Sequence, residues 1–336
     1  MSGREGNNMG DLILYVILAV VGYFLAGKLR KYEDKIRGIP KFQTVAIVIL
    51  VFAMGSRMGS NDEIVSNLNK IGIYALIFTV ITIIFSMVAV TITRKIMKLD
   101  KFGDSQRLDD KHVVASVEAD IAPVEESTNS GKIMTMIILV TVTLGLFFGY
   151  LFVDNIFPDY AVFNSLAGNT IKIGLCLLLF LIGFEMGLEG TFIQNFKKAG
   201  IKVIIFPIVI GLGTLLAALV CSIFIPISVR ESLAIGAGFG WYSLAPVIIM
   251  EKGFITASAI SFMHNILREL LGLLFIPIVA QKIGYLESIA IPGSAASDVC
   301  LPIIAKSTKS EIAIYSFISG VTLSALVPIL VPIMIG

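Results

Sequence analysis

The chain has 336 residues, of which 56% are hydrophobic and 15% charged, and its mean hydropathy is +0.91. Soluble domains carry roughly 45–50% apolar and about 25% charged residues, so this composition excludes a soluble enzyme and a disordered chain. The net charge of +2 gives no electrostatic signal for DNA or RNA. The composition therefore predicts a polytopic membrane protein.

Apolar runs that are long enough to cross a bilayer recur along the chain, since a spanning helix needs about 20 apolar residues. The regular runs are Asp11–Gly27, Phe42–Gly59, Ile71–Thr93, Ile133–Val153, Thr170–Leu188, Gly200–Ile225, Thr256–Ala280 and Glu311–Ile335. Two less regular runs, Glu231–Met250 and Ile289–Ile304, contain several glycines and prolines. We therefore expect an all-α fold with about eight transmembrane helices and two irregular segments.

Basic residues concentrate in some of the segments between these runs, and acidic residues in another. Lys28–Lys41 and Arg94–Lys101 are rich in lysine and arginine, whereas Val153–Thr170 contains Asp154 and Asp159 and no basic residue. By the positive-inside rule the basic segments face the cytoplasm, which puts both termini outside. The expected location is the cell membrane, with multiple passes.

The stretch 94–132 is the only long polar segment, and it mixes acidic with basic residues. Its low hydrophobicity predicts a flexible cytoplasmic linker between two halves of the chain. The cysteines Cys176, Cys221 and Cys300 lie in apolar runs without metal-ligand or disulfide spacing. We expect them to pack as small hydrophobic residues, and we expect no metal or other cofactor.

An internal repeat becomes visible when the sequence is shifted by 128 residues. The matching residues are Phe52, Gly55, Met58, Gly59, Asn67, Lys70 and Gly72, which fall on Phe180, Gly183, Met186, Gly187, Asn195, Lys198 and Gly200. The units 1–93 and 133–225 are offset by three spans, an odd number, so the second unit should lie upside down relative to the first. Inverted repeats are typical of secondary transporters.

A second repeat, with an offset of 56 residues, lies within 226–336. Glu231–Ile235 aligns with Glu287–Ile291, and Pro246 aligns with Pro302. Each unit is a broken segment followed by a long apolar helix. We favour two re-entrant segments that enter from opposite faces and form the transport site, because irregular backbone at membrane depth needs surrounding protein or a polar cavity. The alternative is ten plain helices with glycine kinks.

Ionisable residues inside the predicted spans are few, and each costs about 2.5–3.5 kcal/mol on insertion, so they are candidates for function. Arg57 and Glu185 occupy equivalent repeat positions and are interpreted as snorkelling or structural ion-pair residues. Arg268 either joins a structural network or contacts the substrate. His264 is interpreted as a packing residue, with a proton relay as the alternative.

Asp298 is the strongest single candidate for contact with a cation. It follows the small-residue stretch Gly293–Ser297, which leaves backbone groups accessible. Its alternative role is to cap the half-helix that follows.

The partner segment contains three alternating glycines, which argue against a regular helix, and the only tryptophan of the chain. Trp241 and Tyr242 could form an aromatic wall for a cation or an alkyl chain, the alternative being a position in the interfacial belt. No metal cluster or nucleophile–histidine pair is recognisable, so we do not expect an enzyme.

Four ordered blocks of the second half resemble the bacterial LysO lysine-exporter family. They are Gly238–Leu244, Asn265–Leu270, Ser297–Pro302 and Leu326–Leu330. The resemblance implies an inner-membrane protein with eight spans and both termini outside, which exports L-lysine and its toxic analogue thialysine. It also implies that intramembrane acids are needed for transport, and these correspond to Glu269 and Asp298.

The charge of lysine fits this reading, because its net charge of +1 suits an acidic site. We expect Asp298 and Glu269 to face an ammonium group, and the substrate carboxylate to meet backbone N–H groups around Gly238–Ser243 and Gly293–Ser297. The complete set of expected substrate-binding residues is Asp298, Glu269, Trp241, Tyr242, Ser243, Gly238, Gly240, Asn265 and Ser297.

Export of a cation works against a cell-negative interior by about 2.3 kcal/mol per 100 mV. Proton antiport would offset this cost, with Asp298 or Glu269 as the proton carrier. The expected partners are thus a cationic amino acid, protons and the lipid bilayer, but no nucleic acid, and a homodimer is left open. The alternatives are a transporter of another small solute (arginine, sodium or an organic anion) and a membrane sensor that acts through 94–132.

Overall fold

The computed structural model describes residues 2–29, 39–103, 124–157, 159–189 and 201–336, and within these ranges it is helical and has no strand. The helices are α1 (Ser2–Leu29), α2 (Ile39–Gly59), α3 (Asp62–Ser66), α4 (Leu68–Ile96), α5 (Val124–Ile156), α6 (Tyr160–Glu189), α7 (Ile201–Phe224), α8 (Val229–Gly236), α9 (Ala245–Glu251), α10 (Ile255–Lys282), α11 (Tyr285–Ala290), α12 (Leu301–Ser307) and α13 (Ser310–Ile335). A 3₁₀ turn, Gly293–Ser297, lies between α11 and α12. The predicted all-α class is confirmed.

In the described part of the chain, seven helices are long and apolar enough to cross a bilayer, namely α2, α4, α5, α6, α7, α10 and α13. Helix α1 adds a shorter apolar stretch, Ile17–Leu29. Large apolar side chains such as Ile173 and Ile223 are exposed on these helices, as expected for surfaces that contact lipid. The chain is therefore a multi-pass membrane protein.

Several helix boundaries differ from the predicted ones. Helix α6 begins at Tyr160, well before the predicted start at Thr170, because its first turns contain polar residues that hid the helix in the hydropathy pattern. Helix also covers both ends of the predicted linker, since α4 continues to Ile96 and α5 begins at Val124. Most of the remaining linker lies outside the described residues.

One end of the helix bundle carries lysines and arginines, and we call it the basic end. Helix α4 ends there with Arg94 and Lys95, and α10 ends there with Lys282. The segments that follow α4 and α10 are connected by a hydrogen bond from the N–H of Tyr285 to the carbonyl of Lys101 (2.9 Å). The segment 97–103 is therefore packed against the start of α11.

Helices α1, α2, α5 and α6 form one group, which we call the panel, and α4 together with α7–α13 forms the core group. In the panel, α1 packs along α6 and α2 packs along α5. Each contact places glycines against the backbone of the partner helix, so the helix axes approach closely. The pairs are Gly183–Ala19, Gly187–Tyr23, Gly55–Val142 and Gly59–Leu146.

We expect Gly183→Ala to destabilise the panel, because the added Cβ would overlap the carbonyl oxygen of Ala19. Forcing extra volume into a packed contact costs about 1–3 kcal/mol. Gly168→Ala on the same helix is the matched control, since a Cβ there meets nothing within 4 Å. The check is the midpoint of thermal unfolding in detergent, and equal midpoints for the two variants would contradict the expectation.

The two irregular segments are each a pair of short helices with a break between them. The pair α8–α9 breaks at 237–244, and the pair α11–α12 breaks at 291–300. Both breaks lie in the interior of the core group, where nearly all of their residues are buried. The predicted irregular segments are thus irregular in the structure.

The ends of α8–α9 lie together at the end of the bundle opposite the basic end. Ile227, just before α8, shares a cavity of about 260 Å³ with Lys70 at the start of α4 and Thr256 at the start of α10. At the far end of α9, the carbonyl of Met250 accepts a hydrogen bond from Arg57, near the end of α2 (3.3 Å).

The ends of α11–α12 lie at the basic end. Helix α11 starts beside Lys101. After α12 the chain enters α13, whose early residues Ile314 and Ile318 pack on Val203 near the start of α7. Helix α13 then runs to the opposite end, where Gly336 lies close to Arg230 at the start of α8.

Candidate functional site

The two breaks cross each other inside the core group. The N–H of Ser294 in the inner break, 291–300, donates to the carbonyl of Phe239 in the outer break, 237–244 (2.7 Å). Gly240 and Gly293 have φ of +105° and +64°, which L side chains rarely adopt. A Cβ at Gly240 would lie 2.7 Å from the carbonyl oxygen of Pro292, so glycine is required where the two backbones meet.

Asn265 of α10 holds the outer break in position. Its Oδ1 accepts from the N–H of Gly240 (2.8 Å), and its Nδ2 donates to the carbonyl (2.8 Å) and hydroxyl (3.1 Å) of Ser261. Gly238 leaves room for this amide, since a Cβ there would lie 2.9 Å from Nδ2. Asn265, Gly238 and Gly240 thus shape the crossing, and the structure gives them no direct opening to a substrate.

Arg268 holds the inner break. It is fully buried, and its Nε donates to the carbonyl of Ile291 (3.0 Å) while Nη2 donates to the carbonyl of Ala290 (3.2 Å). These carbonyls lie at the C-terminus of α11, where a cation is favoured by the helix dipole. Nη2 also reaches the hydroxyls of Thr214 (3.2 Å) and Ser86 (3.5 Å). The geometry therefore favours the structural role expected as one alternative for Arg268.

His264, one turn before Arg268, is fully buried. Its Nδ1 lies 3.0 Å from the hydroxyl of Thr79, and its ring packs on Phe78 with 4.8 Å between centroids. These contacts fit the packing interpretation of this histidine.

The two candidate acids lie on elements that pack together. Asp298 ends the 3₁₀ turn of the inner break, and the buried thiol of Cys300, two residues later, lies 4.0 Å from the backbone carbonyl oxygen of Glu269 in α10. Glu269 is 2% exposed, whereas Asp298 is exposed. The structure thus places two acids on adjoining elements, one enclosed and one accessible, and carboxylates so placed can attract a cation.

Polar and aromatic side chains accompany the outer break. The indole N–H of Trp241 donates to the hydroxyl of Ser243 (3.0 Å), and Trp241 is half-buried while Tyr242 is buried. On the inner break, Ser297 is half-buried and donates to the carbonyl of Ser294 (3.1 Å). Trp241 is the aromatic side chain of this set with surface to offer a ligand.

The backbone N–H groups of the outer break are used within the protein. Those of Gly238, Phe239, Trp241 and Tyr242 donate to nearby carbonyls of the same segment, and that of Gly240 donates to Asn265. A substrate carboxylate would have to compete with these bonds, so the expectation that it binds the N–H groups of 238–242 finds no support in this geometry.

Arg57 and Glu185 were interpreted as snorkelling or structural ion-pair residues. Arg57 directs its hydrogen bond to the carbonyl of Met250 in α9. Glu185 is half-buried on α6. The structure does not bring Arg57 and Glu185 together.

A buried carboxylate at the basic end was missed by the sequence reasoning as a functional candidate. Glu287 is fully buried in the first turn of α11, and its Oε1 accepts from Arg94 (2.7 Å) and Thr91 (3.0 Å) at the end of α4. The pair of hydroxyls that contact Arg268 was also missed. Ser86 and Thr214, which lie 2.9 Å apart, are separated by 128 residues, the offset of the first repeat. That offset was the available signal for this pair.

Comparison with known proteins identifies relatives along most of the chain. Residues 139–335 match the family described as "Lysine exporter LysO". The chain is 22% identical over 322 residues to the protein named "Lysine exporter LysO" of Escherichia coli (strain K12), which covers 95% of this chain and 97% of that protein. It is 28% identical over 196 residues to the "Putative lysine exporter" of Haemophilus influenzae, which covers 57% of this chain and 94% of that protein.

Proposed function

The chain belongs to the lysine exporter LysO family, and on that premise we propose that it is a secondary active transporter that exports L-lysine from the cytoplasm. The observation that carries the proposal is the crossing of two broken segments inside the core group, where the N–H of Ser294 donates to the carbonyl of Phe239, with Asp298 on the inner break and Glu269 on the helix packed against it. Discontinuous helices that meet within the bundle are a recurring way to build transporter binding sites.

The charge of the site suits a cation. Arg268 directs hydrogen bonds to the C-terminal carbonyls of α11, and the two acids together still outweigh its single positive charge. Glu269 and Asp298 then remain to attract an ammonium group. The alkyl part of lysine would lie against Trp241, the half-buried aromatic side chain of the outer break.

We propose that the basic end of the bundle is cytoplasmic, following the positive-inside rule. Helices α8–α9 then form a re-entrant segment from the outer face, and α11–α12 form one from the cytoplasmic face. This proposal is supported by the contacts of Met250 with Arg57 and of Tyr285 with Lys101, which tie the two segments to opposite ends of the bundle. With eight spans, both termini would lie outside.

Proton antiport is the coupling that the site would support. An accessible carboxylate can exchange a proton for an ammonium group, and Asp298 is the accessible one of the pair. Inward movement of a proton down the membrane potential offsets the cost of about 2.3 kcal/mol per 100 mV that export of a cation incurs. Thialysine has the same charged groups as lysine and would follow the same route.

We expect Asp298→Asn to remove proton-driven lysine transport while the protein stays folded, because asparagine keeps the size of the side chain but can neither hold a charge nor exchange a proton. The measurement is the efflux of labelled lysine from loaded proteoliposomes, with a pH gradient of either sign imposed across their membrane. Glu311→Gln is the matched control, since Glu311 is an exposed carboxylate at the start of α13 and should transport like the unmodified protein.

Selectivity separates this function from its rivals. Unlabelled lysine should compete with labelled lysine better than leucine or glutamate does, and arginine should rank next.

The outcome of the Asp298→Asn experiment decides the coupling. Equal, gradient-independent efflux from the unmodified protein and from Asp298→Asn would contradict proton antiport through Asp298. Efflux driven by sodium, or competition by organic anions instead of lysine, would assign the site to another solute.

A further inference from the structure

The panel and the core group each have matching internal contacts. In the panel, α1 on α6 corresponds to α5 on α2 when positions 128 apart are exchanged. In the core group, α4 is equivalent to α7 by the first repeat, and α8 and α10 are equivalent to α11 and α13 by the second. The contact of α4 with α11 therefore matches that of α7 with α8, and the contact of α10 with α11 matches that of α13 with α8. Ser86 and Thr214 are equivalent residues of the first repeat, and they are hydrogen-bonded to each other. This bond therefore lies at the pseudo-twofold axis that relates the repeats.

The contacts between the panel and the core group do not match in this way. Helix α9 packs on α2 and α6, whereas its exchange partner α12 packs on α5. Part of the gap between the groups is an apolar cavity of about 740 Å³, which lies between Leu146 and Phe147 of the panel and Phe262 and Ile266 of the core group. Applied to these contacts, the exchange defines a second arrangement, in which α12 takes the place of α9 against α2 and α6.

The present arrangement is held at one end by what we call the outer latch, the hydrogen bond from Arg57 of the panel to the carbonyl of Met250, next to Glu251 at the end of α9. Under the first repeat, with its shift of 128 residues, the equivalent of Arg57 is Glu185. Under the second repeat, with its shift of 56 residues, the equivalent of Met250 is Lys306. The charge of the panel residue is reversed, and a lysine stands at the exchange position on α12. Lys306 is exposed at the basic end.

Resting on the proposed function of export, we propose that Glu185 and Lys306 form an inner latch that closes the basic end in a second state, and that the inner and outer latches are mutually exclusive. In the present state the outer latch is formed, and the exposed Asp298 is reached from the basic end. In the second state the inner latch forms, the outer latch breaks, and the site faces the opposite side. Alternation between the two states moves the cargo.

The burial of the two breaks supports this assignment. Asp298 of the inner break corresponds to Tyr242 of the outer break under the shift of 56 residues. Tyr242 is 8% exposed, whereas Asp298 is exposed. Of these two equivalent residues, the one on the segment that the formed latch holds is thus covered, and the one on the other segment is open.

The test is disulfide cross-linking in membranes of the full chain, with one pair of cysteines for each latch. The pairs are Arg57→Cys with Glu251→Cys and Glu185→Cys with Lys306→Cys, and the products are identified by mass spectrometry, which separates them from native cysteines. The control pair, Glu185→Cys with Lys282→Cys, joins Glu185 to an exposed residue of the basic end that belongs to neither latch. A disulfide requires the Cβ atoms to approach to about 3.5–4.5 Å.

We expect both latch pairs to cross-link well above the control pair, and each cross-link to lower transport at least tenfold below that of the same variant after its disulfide is reduced. A chain that carries both pairs should form one cross-link or the other in each molecule. An inner pair that cross-links no better than the control pair, or single molecules that contain both cross-links, would overturn the latches. Cross-linking can be measured without lysine. If both latch pairs cross-link but the protein transports no lysine, the latches are supported and the proposal of lysine as the substrate is refuted.

As a second measurement that does not depend on cysteine chemistry, the charges of the inner latch can be exchanged. Glu185→Lys and Lys306→Glu should each slow transport at least tenfold at unchanged protein level, and the double variant should recover most of the loss. Failure of the double variant to recover, with both single variants impaired, would contradict a direct contact between these residues.

Discussion

Arg268→Ala is expected to abolish transport and to produce the largest loss of stability of any single charge removal in the core group. The guanidinium group is fully buried and donates to Ile291, Ala290, Thr214 and Ser86. Its removal leaves the last carbonyls of α11 without their donor in an interior that water does not reach. Each buried acceptor that is left without its donor costs about 1–3 kcal/mol.

Arg268→Lys separates the charge of this residue from its geometry. Lysine keeps the positive charge near the C-terminus of α11, but its single ammonium group cannot reach two carbonyls and two hydroxyls from one fixed plane. We expect Arg268→Lys to recover part of the stability and little of the transport, because the inner break would no longer be held against α4 and α7.

The measurements are the midpoint of thermal unfolding in detergent and lysine efflux from proteoliposomes. Arg230→Ala is the control, because Arg230 is an exposed arginine at the start of α8 and its loss should leave both quantities nearly unchanged. If Arg268→Ala unfolded at the same temperature as Arg230→Ala, the assignment of Arg268 as the residue that holds the inner break would be wrong.

The role of Arg268 illustrates what the sequence could predict. Length and hydropathy of the apolar runs fixed the class of fold, because a membrane imposes one length on every spanning helix. The glycines and prolines of 237–244 and 291–300 predicted the two breaks, because these residues interrupt the backbone hydrogen bonds of a continuous helix. These are local properties, so they could be read without knowledge of the neighbours.

The direction in which a polar side chain points is not local. Arg268 and Glu269 are adjacent on α10, and their order along the chain could not tell which of them would hold the backbone of the inner break. The burial of Glu287 depends on Arg94, far away in sequence, and the pairing of Arg57 with α9 rather than with Glu185 depends on how the panel docks on the core group. Only the three-dimensional arrangement decides such contacts.

Gly293→Ala is expected to be the most damaging single-methyl substitution in the core group. The residue has φ of +64°, and an added Cβ would collide with the carbonyl oxygen of Phe239 and lie 3.0 Å from Cζ of Arg268. A left-handed conformation costs an L residue roughly 1–2 kcal/mol. The collision adds to this cost, because relief requires the two breaks to separate and the bond from Ser294 to Phe239 to lengthen.

Gly253→Ala supplies the matched control, since Gly253 also has a left-handed φ (+89°) but a Cβ there meets nothing within 4 Å. Both variants carry the conformational cost, and only Gly293→Ala carries the collision at the crossing. The difference between their unfolding midpoints therefore isolates the contact between the breaks.

Transport should separate the two variants further, because Gly253 lies in the turn between α9 and α10, away from the crossing. We expect lysine efflux to fall more than tenfold in Gly293→Ala and to change less than twofold in Gly253→Ala. Equal efflux from the two variants would mean that the crossing can loosen without consequence. In that case the close approach of the breaks would serve stability alone, and the site around Asp298 would not depend on it.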